Sequence, residues 1–412
     1  MNEPLTVREA PASYQVVLES QRVRPGYKQT EIGIIPKDWC AASLGSLTVL
    51  MTNGFVGTAT RHYAENENGV LYIQGYNVEE NSFNFHGIKY VNAEFHKAHA
   101  KSCLRGGDLL TVQTGDVGLT TVVPDYLAGS NCHALIISRF DKKCVSPGFI
   151  SYYLNSQPGR SRLRLIETGT TMKHLNVGDM LEFLVPLPPT KAEQDAIAEA
   201  LSDADALIES LEQLIAKKRH LKQGVMQELL TGKKRLPGFS GEWEVKRIGD
   251  LLTIAHGRSQ HAVADRNGIY PILATGGQIG TTNRFLYDKP SVLIGRKGTI
   301  DRPQYMDRPF WTVDTLFYSV IHEPNNAKFL FYRFCLIDWK QHNEASGVPS
   351  LNARTIERIE LKVPPPDEQT AIATILSDMD TEIAVLETRL AKTRSLKQGM
   401  MHNLLTGRIR LQ

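Results

Sequence analysis

A stretch of 44 residues occurs twice in this chain, and that duplication limits the possible folds more than any other feature. Residues 193–236, EQDAIAEALSDADALIESLEQLIAKKRHLKQGVMQELLTGKKRL, align without a gap on residues 368–411, EQTAIATILSDMDTEIAVLETRLAKTRSLKQGMMHNLLTGRIRL. About 26 of the 44 positions are identical, including EQ, LSD, LKQG and LLTG, more than shared composition produces. The fold must be built of two like halves.

Each copy reads as a long helix. Thr190 and Glu193 form a capping box, Asp367 is an N-cap after a proline run, and Gly232 and Gly407 stand where a helix would stop. Apolar residues recur at Leu201, Ala204, Ile208, Leu211 and Ile215, and again at Leu376, Met379, Ile383, Leu386 and Leu390. Steps of three and four residues make a coiled-coil seam, so Leu201, Ile208, Leu211, Ile215, Leu376, Ile383, Leu386 and Leu390 are the predicted helix-pairing residues. About 38 residues of helix extend roughly 57 Å, the length of a spacer. Charge along each copy is polarised. The first runs from Glu193, Asp195, Glu199, Asp203, Asp205, Glu209 and Glu212 to Lys217, Lys218, Arg219 and Lys222, and the second from Glu368, Asp378, Asp380 and Glu382 to Arg389, Lys392, Arg394 and Lys397. Compensation of the helix dipole explains part of this pattern. If the helices pair, antiparallel packing sets acid beside base, whereas parallel packing sets like beside like, so antiparallel pairing is favoured.

A weaker repeat precedes each helix. Trp39 in IPKDWCAASLGSL matches Trp243 in FSGEWEVKRIGDL; DLLTVQTGDVGLTTVVP and SVLIGRKGTIDRPQY both read as strand, Gly-x-x-Gly turn, strand. HALIISRF and DTLFYSVI read as buried strands, PGFISYYLNS and AKFLFYRFCLIDWKQ as short aromatic helices, TGTTMKHLN and SGVPSLN as loops, and LVPLPP and KVPPP as extended leads into the long helices. GYKQTEIGIIPKDW (26–39) has the layout of GKKRLPGFSGEW (232–243), as if the two termini met and the molecule were a closed pseudo-twofold object. The predicted class is α+β: two similar mixed α/β domains separated by two long antiparallel coiled-coil helices. The boundaries are an N-terminal segment 1–36, which has no predicted structure over 1–20, a domain 37–188, a helical spacer 189–236, a domain 237–362 and a helical spacer 363–412.

Size agrees, because 412 residues exceed what one hydrophobic core sustains. A hydrophobic share of 42% with 22% charged residues is that of a globular chain, and the net charge of +3 neither demands nor excludes a nucleic-acid partner. No apolar run reaches the roughly 18 to 20 residues of a membrane span, and the N-terminus lacks a signal-peptide layout, so a cytoplasmic protein is expected. Cys40, Cys103, Cys132, Cys144 and Cys335 are odd in number and never in CxxC spacing, which favours reduced structural thiols over a disulfide frame or a zinc site.

A variable segment, a helix carrying EQ, LKQG and LLTG, a second variable segment and a second such helix resemble the specificity (S) subunit of type I restriction-modification systems. The resemblance spans about residues 26–411, and the PLPP-x-x-EQ and PPP-x-EQ entries into the helices are similar to that family's. It implies two target recognition domains, each reading half of a split site in double-stranded DNA. It also implies helices that set the spacing and dock two methyltransferase (M) subunits, with restriction (R) subunits joining the full complex. The subunit itself would have no catalytic residues, no metal and no cofactor; S-adenosylmethionine, ATP and Mg would belong to its partners. The residues agree. There is no GxxxxGK[ST] loop and no Asn/Asp-Pro-Pro-aromatic tetrapeptide, while Glu360-Leu361-Lys362 reads as an alternating strand end and Cys132-His133 as a strand end rather than a metal pair. Two other readings share the layout: the targeting subunit of a related system that cuts on both sides of its site, and a protein-only coiled-coil scaffold.

DNA reading requires donors on loops, with Lys or Arg for phosphates. The candidates are Thr58, Thr60 and Arg61 in GFVGTATRHY, Asp116 in the Gly115–Gly118 turn, and Lys173 with His174 in TGTTMKHLN. In the second domain they are Arg258, Ser259 and Gln260 in AHGRSQ, Arg296 and Lys297 in GRKG, and Asn352 and Arg354. Any of them could also be a solvated loop residue. GRKG stands out because two cations between glycines follow an apolar strand and have no acidic neighbour in sequence.

Overall fold

The computed structural model describes residues 23–411, so the reading of residues 1–20 falls outside it. The described residues form two compact units, one of 23–208 with 392–411, the other of 209–391. Each long helix is shared between the units: residues 191–208 and 392–404 belong to the first, and 209–229 and 366–391 to the second.

Both units carry the same topology. In the first, an antiparallel sheet runs Thr48–Asn53, Leu135–Phe140, Leu109–Val112, Thr120–Val122. In the second the order is Leu252–His256, Leu316–Ile321, Ser291–Gly295, Gln304–Met306. A three-stranded sheet with one parallel pair accompanies each: Val70–Ile73 lies between Asn131–Cys132 and Lys89–Val91, and Tyr270–Ala274 between Trp311–Thr312 and Gly277–Thr282. The aromatic helices appear where expected, at Pro147–Asn155 and Ala327–Cys335. The proline-rich leads prove to be strands, Leu184–Leu187 pairing with Cys40–Ser43 and Glu360–Val363 with Glu244–Arg247. Leu361 is buried between exposed Glu360 and Lys362, the alternation expected of a strand edge.

The long helices span Lys191–Leu229 and Pro366–Leu404, 39 residues each. Both stop at glycines in the left-handed region, Gly232 (φ +72°) and Gly407 (φ +66°), where a side chain would be strained. Two predicted caps differ. The second helix already starts at Pro366, so Asp367 lies within its first turn. Thr190 Oγ1 accepts the Glu193 N–H, as in a capping box, but the Glu193 carboxylate turns to Arg410 instead of back to the cap.

Within each unit the start of one long helix meets the end of the other, antiparallel. In the first, Lys397 pairs with Asp205 and Arg410 with Glu193; in the second, Lys222 pairs with Asp380, Lys218 with Glu382 and Arg235 with Glu368. Leu201, Leu211, Ile215, Leu376 and Ile383 are buried and Ile208, Leu386 and Leu390 half-buried, so no predicted pairing residue faces open solvent. Leu201 packs with Trp39, Phe149, Ile197 and Leu404, and Leu376 with Phe329, Tyr332, Leu229 and Ile372.

The polar identities of the repeat have matching jobs. Gln194 accepts the Ser146 N–H at 2.9 Å and donates to the Pro188 carbonyl; Gln369 accepts the Asn326 N–H at 3.0 Å and donates to that of Pro364. Tyr152 donates to Asp205 at 2.9 Å and Tyr332 to Asp380 at 2.6 Å, and burial together with the neighbouring carboxylate pushes both phenols far above their ordinary range. Arg235 grips Glu368 with two bonds of 2.6 Å and lies 5.8 Å from the Trp243 ring; Arg410 grips Glu193 and Asp38 and lies 5.6 Å from Trp39. The Arg410 hydrogen bond holds Asp38 below the usual carboxylate range. Tyr27 Oη donates to the Gly407 carbonyl at 3.1 Å, so the chain near both termini joins the first unit, as the sequence layout implied.

Candidate nucleic-acid interface

In each unit two loops leave the ends of sheet strands, and the second of them is tied through the backbone to a third that runs between helices. In the first, Thr60 and Arg61 are exposed on a 3-10 turn, Thr60–His62, and Thr58 is exposed just before it, while Ala59 between them is buried. The turn rests on packed rings, with Phe55 4.9 Å from Phe95 and 4.6 Å from His99, and His62 5.0 Å from Phe95. Tyr72 Oη and His133 Nδ1 lie 3.0 Å apart beside them, and burial pushes the His133 imidazole below its ordinary value. Cys132 is fully buried at its strand end, where burial drives the thiol pKa up. Gly54 is required here, since a Cβ would stand 2.6 Å from the Cys132 sulfur and 2.8 Å from its carbonyl oxygen.

Asp116 is exposed in its turn, Lys173 is exposed and His174 is half-buried. These last two loops are joined by a bridge between Thr114 and His174 and by the Leu175 N–H donating to the Gln113 carbonyl at 3.1 Å. His174 Nε2 also lies 3.1 Å from Thr168 Oγ1, which closes its own loop.

The second unit repeats the plan with other side chains. Arg258 and Ser259 are exposed and Gln260 half-buried. The Arg258 N–H donates to the Thr312 carbonyl at 2.8 Å, and Trp311 Nε1 donates to the Arg258 carbonyl at 2.9 Å. Arg296 is half-buried, its N–H donating to Thr315 at 2.8 Å and its guanidinium to the Asp314 carbonyl at 3.3 Å. Lys297 is exposed and bridges Ser350 through the backbone. Among the described residues, Arg61, Lys173, Arg258, Lys297 and Arg354 are exposed cations outside the salt bridges, which leaves them free to meet phosphate.

One expectation is corrected by this geometry, and one candidate proves to have a structural task as well. GRKG is not the tip of a tight hairpin. The paired strands end at Leu293 and Gln304, and the turn is bonded through the backbone on both flanks, to Thr315 and to residues 349–351. Asn352 caps the helix Ala353–Arg358, its side-chain oxygen accepting the Arg354 N–H at 2.9 Å, so that oxygen is committed to the fold.

Residues that sequence reasoning missed emerge when the loops are matched by backbone pairing. Gly115 (φ +94°) is the counterpart of Gly298 (φ +90°), not of Gly295, so Gln113 and Thr114 occupy the places of Arg296 and Lys297. Met172 and Val348, each three residues before the leucine that makes the loop-to-loop bond, are 68% and 65% exposed. An apolar residue inside a Gly/Ser/Thr loop was the available signal for that pair.

A family model described as Type I restriction modification DNA specificity domain matches residues 53–217 and 240–393. A Methanocaldococcus jannaschii protein assigned as the specificity subunit of type I restriction enzyme MjaX is 25% identical over 424 residues, covering 94% of this chain and 97% of that protein. The MjaVIII specificity subunit of the same organism is 26% identical over 191 residues, 40% of this chain and 42% of its own length. The crystal structure of a type I S subunit from M. genitalium matches 89% of this chain and 96% of its own, with a TM-score of 0.64 at 17% identity, a likeness of fold.

Proposed function

The chain belongs to the type I restriction-modification DNA specificity family, and on that premise we propose that each unit reads one half of a split duplex site for a methyltransferase and endonuclease complex. The observation that carries this reading is a frame kept the same twice while the loops on it differ. Glu, Gln, Asp, Lys and Arg of the repeat make matching contacts in both units, yet the loops present Thr60 and Arg61 in one and Arg258 and Ser259 in the other. A protein-only scaffold has no use for rigid loops that end in unpaired cations.

Docking of two M subunits finds support in the remaining identities. LKQG recurs, but Leu221 and Leu396 are 55% and 62% exposed, and a Cβ on Gly224 or Gly399 would meet nothing within 4 Å. Identity at two exposed sites without an internal contact fits one partner type binding twice. The chain then supplies no catalytic group, and S-adenosylmethionine, ATP and Mg are handled by the M and R subunits. All five cysteines are free, which fits action in a reducing compartment. Among the described residues no helix is long and apolar enough to cross a membrane.

Co-expression with the M subunits, followed by genome-wide mapping of methylated bases, tests the reading. Exchanging residues 37–188 for those of a relative should replace one half of the motif and leave the other intact. Duplex binding should weaken steeply with salt. A one-domain exchange that alters both halves sinks the idea of separate readers, and salt-insensitive or absent duplex binding favours the scaffold.

A further inference from the structure

The two central strands Leu109–Val112 and Ser291–Gly295 have no exposed position, and each delivers one half-exposed side chain just past its end, Gln113 and Arg296. The register agrees at four successive points. Val112 pairs with Leu135 as Gly295 pairs with Leu316. The Gln113 carbonyl accepts the Leu175 N–H as the Arg296 carbonyl accepts that of Leu351, at 3.1 and 2.9 Å. Thr114 bridges His174 as Lys297 bridges Ser350, and a left-handed glycine follows in both. One backbone thus carries two different side chains.

We propose that Gln113 and Arg296 read the same place in their respective half-sites, Gln113 selecting adenine and Arg296 guanine. This rests on the reading of each unit as a half-site reader. A carboxamide offers one acceptor and one donor, which match the N6 amino group and N7 of adenine in the major groove; a guanidinium offers two parallel donors, which match N7 and O6 of guanine. Phosphate anchoring would favour a cation at both places, and Gln113 is neutral, so the position is set by donor and acceptor pattern rather than by charge. Neither side chain is spent on the fold. Among the described residues Gln113 makes no side-chain hydrogen bond, and Arg296 makes one, of 3.3 Å, to a carbonyl.

The test uses the full chain with its M subunits and reads the methylated motif. The wild-type motif has to contain an A·T pair in the first half and a G·C pair in the second. Gln113→Arg should change that A to G and leave the second half untouched, Arg296→Gln should change that G to A and leave the first half untouched, and alanine at either position should lower discrimination there by about tenfold or more. Circular dichroism and co-purification with the M subunits confirm that each variant is folded. If either swap leaves its base unchanged while exchange of residues 37–188 still replaces half the motif, the assignment is overturned and the half-site reading stands. If the domain exchange fails as well, the half-site reading is what has failed.

Discussion

Arg296 and Lys297 are neighbours with different freedoms, and their substitutions should fail differently. Arg296 is half-buried and Lys297 exposed, on a turn fixed by backbone bonds on both flanks. Arg296→Ala is expected to cost about 1 to 3 kcal/mol of binding and to relax one position of the second half-site. Lys297→Ala should weaken all sequences alike and lower the salt slope by roughly one contact. Titrations at several salt concentrations separate the two, and unchanged values for both would remove the turn from the interface. Adjacent cations between glycines were legible in sequence because the turn is local. Their counterparts Gln113 and Thr114 were not, because the equivalence is defined by partners about 60 residues away, Leu175 and His174. Asn352 is a related case: asparagine serves equally for a base edge and a helix cap, and only the position of Arg354 reveals that its oxygen caps a helix.

At the scale of the element, the Arg-Glu-Trp clasp explains why the repeat is so well kept. The Glu368 side chain is 1% exposed and the Glu193 side chain 7%, so each carboxylate depends on its arginine. Removing the arginine leaves a carboxylate with little access to water unmatched, which destabilises the unit that holds it. Arg235→Ala should lower the melting temperature of the second unit by several degrees and spare the first, and Arg410→Ala should do the reverse. Calorimetry, with hydrogen exchange to locate the loss, checks this, and a loss spread evenly over both units would contradict it. The sequence made antiparallel pairing legible through charge polarity. It did not reveal that Glu193 abandons its capping box, because the competing arginine lies 217 residues away.

For the molecule as a whole, register matters more than length alone. Paired residues in the first unit, 205 with 397 and 193 with 410, follow the same antiparallel offset as 222 with 380 and 235 with 368 in the second. One turn of about 5.4 Å added after Leu214 alone therefore lengthens one connection and not the other. Matched four-residue insertions, after Leu214 and before Leu390, should keep both units intact and widen the unspecified spacer of the motif with both half-motifs unchanged. Methylation mapping would show it, and altered half-motifs would count against it.

The second unit is one unbroken stretch, 209–391, whereas the first borrows residues 392–411 to finish its core, with Leu404 and Leu405 packed beside Trp39. On the ribosome this reverses the usual order of maturation, in which the N-terminal part folds first. The half synthesised first stays open until the segment from residue 392 onward has been made, while the half synthesised later closes before it. A chain cut before residue 392 should therefore carry a closed second unit and an open first one.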